Sequence, residues 1–105
     1  MAIRPFKRNI MKFLREKRLE AYTLKRPQEV LLVTVETAGE QDQIMIFKGF
    51  SSSLMRPTNF DPEVPILTEE AIIIQIDRLA SPYHPHEPKY LQQGMTWEEM
   101  EIMLD

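Results

Sequence analysis

The residues best suited to chemistry are few and widely spaced. His84 and His86 flank Pro85 in Tyr83-His84-Pro85-His86-Glu87, two imidazoles beside a carboxylate, donor types that zinc and nickel accept. A metal centre needs further donors, and the sequence holds no second cluster of them; in a proline-rich loop such a pair more often faces water, so neither a metal nor another cofactor is expected. No Gly-x-Ser-x-Gly elbow or His-Glu-x-x-His helix accompanies these histidines to make them catalytic. Glu69 with Glu70, and Glu98 with Glu99 and Glu101, are the carboxylates that general acid–base work would draw on. Their positions, before a strand and in the first turn of a helix, are those of gatekeepers and helix-dipole partners. Asp77 and Arg78 read as an ordinary ion pair. No catalytic residue is assigned.

Phosphate chemistry of the common kinds is excluded by glycine content, since Gly39, Gly49 and Gly94 alone can write neither Gly-x-Gly-x-x-Gly nor a Walker-type loop. Lys48-Gly49-Phe50-Ser51-Ser52-Ser53 offers amide hydrogens, hydroxyls and a cation to an anion, as backbone nests do. A serine-rich turn leaving a strand has the same composition.

These residues must be positioned by the elements around them. Ile3, Phe6, Ile10, Phe13 and Leu14 recur at helical spacing on one face, while Arg4, Arg8, Lys12 and Arg15 gather on another. The pattern predicts an amphipathic basic helix that Lys17, on its apolar side, spoils; the helix either ends there or, as expected here, runs to about Leu24, ahead of Pro27. Val30 to Val35 is a β-branched run apolar on both alternating sets, and Gln43 to Lys48 returns after a turn at Thr37-Ala38-Gly39-Glu40, making a hairpin. Residues 48–65, with three serines and Pro57, Pro62 and Pro65, read as a long loop. Ala71 to Asp77 is the third strand, with Ile72, Ile74 and Ile76 on one face. Pro82, Pro85 and Pro88 keep residues 81–90 extended, and Thr96 with Glu99 forms a capping box opening a short acidic helix through Trp97, Met100 and Met103. Met95, Met100, Met103 and Trp97 read as core, or as an adaptable patch for a partner's groove if exposed.

The fold expected is therefore α+β: an N-terminal amphipathic helix, a three-stranded, mainly antiparallel sheet and a short C-terminal helix, in one domain over residues 1–105. Such a sheet needs both faces covered, by the basic helix and the C-terminal segment, or else by a homodimer. A 43% share of hydrophobic residues over 105 positions suffices for one core. The absence of cysteine excludes disulfides, thiolate metal sites and cysteine nucleophiles. No apolar run is long enough for a bilayer, and Arg4, Lys7, Arg8 and Lys12 interrupt any leader-like segment, so a cytoplasmic setting is expected. The net charge of −3 hides a division. Residues 1–26 hold nine cations and two acids, a net of +7, and residues 27–105 hold four cations and fourteen acids, a net of −10. A split of this kind suits an anionic partner, although the two parts can also neutralise each other within the fold.

Lys48-Gly49-Phe50-Ser51-Ser52-Ser53-Leu54-Met55-Arg56-Pro57-Thr58, with Phe60-Asp61-Pro62 and later Ile76-Asp77-Arg78-Leu79-Ala80-Ser81-Pro82-Tyr83, resembles a small protein family of cyanobacteria with chloroplast counterparts in plants. The likeness runs from about Glu29 to the C-terminus. It implies a cytoplasmic or stromal setting, peripheral to the thylakoid, and a binding role in preference to catalysis, and it supplies no functional residues.

Three functions compete. The leading one is a non-enzymatic module docking on a protein complex, with contact to an anionic membrane surface, through Arg4, Arg8, Lys12 and Arg15, with Lys7 and Arg18 adding to the attraction, and the loop residues Phe50, Ser51, Ser52, Ser53 and Arg56. Next is single-stranded nucleic-acid binding, with the same cations on phosphates and Phe47, Phe50 or Tyr22 stacking on bases, against which the acidic remainder counts. A small enzyme built on the Ser51–Asp61 loop and the His84, His86 pair is third.

Overall fold

The computed structural model describes residues 3–55, 66–68 and 70–104, with side chains from residue 14 onward. Helix α1 spans Ile3–Lys25 and is followed by strands β1 (Glu29–Thr37), β2 (Glu40–Phe47), β3 (Phe50–Ser53), β4 (Ile72–Ala80) and β5 (Tyr90–Met95), then helix α2 (Trp97–Met103). The strands form one sheet in the order β3-β2-β1-β4-β5, every neighbouring pair antiparallel. The architecture is α+β as expected, with five strands where three were expected.

β3 and β5 were hidden by composition. Three serines read as turn formers, yet the turn is Lys48-Gly49 alone. Both residues have positive φ (50° and 83°), the two-residue geometry that reverses a strand at once, so Phe50 pairs with Phe47 and the serines continue the ladder. Ala38-Gly39 closes the β1–β2 hairpin in the same way, at φ 53° and 81°. An alanine there carries a steric cost that asparagine largely avoids. Ala38→Asn should therefore raise stability by about 0.5–1 kcal/mol, read as an upward shift of the urea midpoint. β5 escapes notice for a different reason: Tyr90-Leu91-Gln92-Gln93-Gly94 is exposed along an edge, and burial never selected a β-branched pattern.

β4 corrects a second expectation. The register with β1 shifts between Thr34 and Val35, which face Gln75 and Ile73, so the alternation of β4 breaks at Ile74. Of the three isoleucines expected on one face, Ile76 is fully buried, whereas Ile72 and Ile74 are exposed and Ile73 joins the core edge.

The core gathers Leu31, Val33, Val35, Ile44, Ile46, Ile76 and Met95 from the sheet, Leu19 and Tyr22 from α1, and Met100 from α2. Both helices thus cover one face, instead of one face each. Val30, Leu32 and Leu79, on the opposite face by the strand period, are also buried. Met95 and Met100 pack as core, with Trp97 and Met103 at its margin. The capping box is present as read, Glu99 N donating to Thr96 Oγ1 (3.0 Å) and Thr96 N to Glu99 Oε1 (2.9 Å).

α1 runs to Lys25, the longer of the two extents its sequence allowed. Its packing face is Glu16, Leu19, Tyr22 and Thr23. The apolar stripe that ends on Leu14 does not continue onto the sheet: Leu14 and Leu24 are exposed, and each stands about 140° around the helix from Leu19. Ile3, Phe6, Ile10 and Phe13 lie outside the residues whose side chains are described.

Candidate functional site

The residues singled out from sequence do not converge. Arg4, Arg8, Lys12 and Arg56 fall outside the described side chains. Arg15 holds the chain ahead of β4, its Nη2 donating to the carbonyls of Thr68 (2.7 Å) and Ala71 (2.9 Å). Ser51 lies beneath α1 and donates to Glu20 Oε2 (2.7 Å), while Ser53 donates to both oxygens of Asp42. Ser52 and Phe50 lie on the other face of the sheet by the strand period, Phe50 being 79% exposed. The Lys48-Gly49 stretch is not an open nest either, since Gly49 N donates to Thr23 Oγ1 (3.0 Å). His84 and His86 are exposed, and the described residues include no group of three or more His, Cys, Asp or Glu placed to hold a metal.

Two carboxylates are buried where the sequence drew no attention. Glu16 lies one turn from Glu20 on α1, and its Oε1 accepts from both Ile66 N (3.0 Å) and Leu67 N (2.9 Å), fastening the chain that leads into β4. Burial pushes its carboxyl above the usual range; the Leu67 amide opposes the shift, and nearby Glu20 adds to it. Glu29, at the start of β1, takes a bidentate pair from Arg78 (Nε to Oε1 2.9 Å, Nη2 to Oε2 3.0 Å) and a hydrogen bond from Tyr22 Oη (2.8 Å). Asp77 is not the partner of Arg78: adjacent strand residues point to opposite faces, and Asp77 instead accepts from Gly94 N (2.8 Å). Burial disfavours the Glu29 charge, but hydrogen bonds from Arg78 and Tyr22 outweigh it and hold the carboxyl below its usual range. Burial and the bond to Glu29 push the Tyr22 hydroxyl upward.

This network fixes the floor of one cleft; a second cavity, of about 390 Å³, is lined by Arg15, Ile73, Ile74, Trp97 and their neighbours. Between the second half of α1 and the end of α2 lies a cleft of about 220 Å³. Tyr22, Ala21, Met103 and Leu104 line its apolar part, and Lys17, Arg18, Lys25 and Arg26 its rim. Arg26 lies over the Tyr22 ring at 4.1 Å, and Arg18 joins the helices by a hydrogen-bonded ion pair to Glu101 (2.8 Å) while lying 5.7 Å from the Trp97 ring. The signal was present in the sequence. Lys17-Arg18, Ala21-Tyr22 and Lys25-Arg26 are basic, apolar and basic pairs at four-residue spacing, which stack along one helix face. The more strongly basic first turns of the helix outweigh it in any tally of charge.

The family comparison covers this region. Residues 16–104 match the model of a domain of unknown function, DUF7734. The chain belongs to the DUF7734 family. The match includes every residue of the cleft and begins after Arg15, so Arg4, Arg8, Lys12 and Arg15 precede it. No curated protein and no solved structure matches the DUF7734 chain. Among its described residues no helix is long and apolar enough to cross a membrane.

Proposed function

We propose that this DUF7734 protein is a non-enzymatic binding module that docks on a larger protein complex through the cleft between α1 and α2. The observation that carries the reading is the gathering of four cations around an apolar floor, on a chain whose residues 27–105 are net acidic. Potential concentrated at one place by an otherwise opposite surface steers a complementary partner to that place. The site differs from the one expected at the helix start: of the cations expected there, Arg18 lines the cleft, whereas Arg4, Arg8, Lys12 and Arg15 are not among its lining residues. The resemblance to cyanobacterial and chloroplast proteins makes complexes of photosynthetic membranes the first to test.

The test is affinity recovery from a photosynthetic cell lysate by the full chain, by Lys17→Gln/Lys25→Glu, and by a control, Lys89→Glu, which changes charge at an exposed residue outside the cleft lining. One complex should be recovered by the full chain and the control and be depleted about tenfold with the cleft variant, the effect of about 1.4 kcal/mol of lost interaction. Equal recovery by all three, or no specific complex with any, overturns the reading.

A further inference from the structure

We propose that the open edge at the start of β4 takes a short extended segment of a partner protein as an added antiparallel strand, apolar in its middle, basic at its N-terminal end and acidic at its C-terminal end. This surface is separate from the docking cleft, with which it shares no lining residue. On one side β4 is flanked by β1 from Ile72 to Ala80. On the other, β5 pairs only with Ile76, Arg78 and Leu79 before Met95 leads into α2. Ile72–Gln75 therefore has no second strand beside it among the described residues, and the backbone N–H and C=O groups there that face away from β1 lack a ladder. At about 3.3 Å per residue this leaves roughly 13 Å of edge open to strand addition.

The cavity of about 390 Å³ lies along this edge. Three consecutive strand residues, Ile72, Ile73 and Ile74, line it, with Trp97 from α2. Neighbouring strand residues point to opposite faces, so a cavity that meets all three runs beside the strand and not over one face of the sheet. Its volume falls in the roughly 300–1,000 Å³ of pockets that hold ligands. Ile72 is 63% and Ile74 42% exposed, so an added strand buries apolar surface as well as pairing. The bulge at Ile74 bends the edge, which suits a short segment better than the long strand of another sheet.

Charge sets the direction of the segment. At the start of the edge Arg15 donates to the carbonyls of Thr68 and Ala71 through Nη2, leaving Nε and Nη1 without a partner among the described residues. Burial lowers the pKa of this guanidinium, and no carboxylate offsets the shift. At the far end Glu98 lines the cavity from the first turn of α2, just beyond the Met95 that pairs with Ile76. Neither Arg15 nor Glu98 has an ion pair among the described residues. Every pair in this sheet is antiparallel, and a strand added to β4 in that sense runs from Glu98 towards Arg15. Its leading cation then meets Glu98, and its trailing carboxylate meets Arg15, whose fork of donors fits it. The opposite direction sets like charges together. One cation and one acid at opposite ends suit neither a nucleic acid nor an anionic bilayer, which offer negative charge alone.

The measurement is fluorescence anisotropy of a labelled, end-capped peptide, Lys-Val-Thr-Val-Asp, titrated with the full DUF7734 chain, with emission of Trp97, the single tryptophan, as a second readout. It should bind about tenfold more tightly than the reversed peptide Asp-Val-Thr-Val-Lys, which has the same composition. N-methylation of the Thr and the Val after it, one of which faces β4 in any register, should weaken binding about tenfold. Ile74→Lys, which sets a cation on the free edge, should do the same while the urea midpoint barely moves. Glu98→Lys should reverse the choice at the first position, so that Glu-Val-Thr-Val-Asp binds more tightly than the Lys peptide. Lys17→Gln/Lys25→Glu should bind as the unaltered chain does, which separates this edge from the cleft. Equal affinity for the two peptide orders, indifference to N-methylation, or no binding at about 1 mM peptide overturns the strand addition. Weakening by the cleft variant as large as that by Ile74→Lys puts the peptide in the cleft and overturns it too. A full chain that sediments as a dimer, and as a monomer once Ile74→Lys is made, gives the edge to a second copy and overturns the partner segment.

Discussion

Glu29→Ala is expected to destabilise the protein by about 3–5 kcal/mol, the cost of leaving one member of a buried, hydrogen-bonded ion pair without its partner. The Glu29 side chain is 8% exposed and that of Arg78 19%, so water replaces little of what is lost. Two groups are orphaned at once, because Oε1 of Glu29 accepts from both Tyr22 Oη and Arg78 Nε. Arg78 retains its contact to Gln92 Oε1 (3.1 Å), which does not replace a carboxylate. Against a total stability of order 5–15 kcal/mol for a domain of this kind, the change is large enough to shift the urea transition by more than about 1 M. A double-mutant cycle with Arg78→Ala isolates the pair: the double variant should be more stable than the sum of the single losses predicts, since no unpaired charge remains. A loss below about 1 kcal/mol for Glu29→Ala would show the pair to be solvated.

The same substitution has a pH signature. Burial opposes ionisation of Glu29, but Arg78 and Tyr22 prevail, so its folded pKa lies below its unfolded one. Its contribution is present above the unfolded pKa and is lost as pH falls through the folded value. The wild-type chain should thus lose stability in acid more steeply than Glu29→Ala does. Glu16 runs the other way. Its folded pKa is raised, chiefly by burial, so its favourable contribution belongs to the acid side and is lost as pH rises through the folded value. Curves of urea midpoint against pH for the two chains separate these opposing slopes.

Leu19→Ala is expected to cost about 2–5 kcal/mol, as truncation of a fully buried leucine does when its surroundings relax only in part. Leu19 is wholly enclosed and belongs to the cluster with Leu31, Ile46 and Ile76, so the cavity forms where α1 meets the sheet. Leu14→Ala, at a residue 44% exposed, should cost less than about 1 kcal/mol. The pair of variants decides which helix face packs. The sequence periodicity favours the stripe ending at Leu14, whereas the structure places Leu19 inward. Equal losses, or a larger one for Leu14→Ala, measured by urea denaturation, would reverse that assignment.

Much of this molecule was legible from neighbours in sequence. α1 and its end near Pro27, the β1–β2 hairpin through Ala38-Gly39, β4, the Thr96–Glu99 capping box and the α+β class all follow from signals acting over a few residues: period, turn chemistry and capping. The division of charge at about residue 26 was equally plain. β3 was missed because Ser51, Ser52 and Ser53 serve turns and edge strands alike, and what makes them a strand is pairing with Ile46, Met45 and Ile44. β5 was missed because an exposed edge strand leaves no hydrophobic record.

The site was decided by tertiary structure. Amphipathicity marks two candidate faces on α1 but does not say which meets the sheet; that depends on the surface that Leu31, Val33, Ile44 and Ile46 present. Turning the helix by about 140° from the expected side exposes Leu14 and Leu24, and leaves Lys17, Arg18, Lys25 and Arg26 around Tyr22. Placing both helices on one face then brings Met103 and Leu104 against them. The residues of the cleft were each visible in the sequence, but their convergence arises only when residues 17–26 and 103–104 pack together across the same sheet, because long-range contact, unlike periodicity, requires a second surface to complete it.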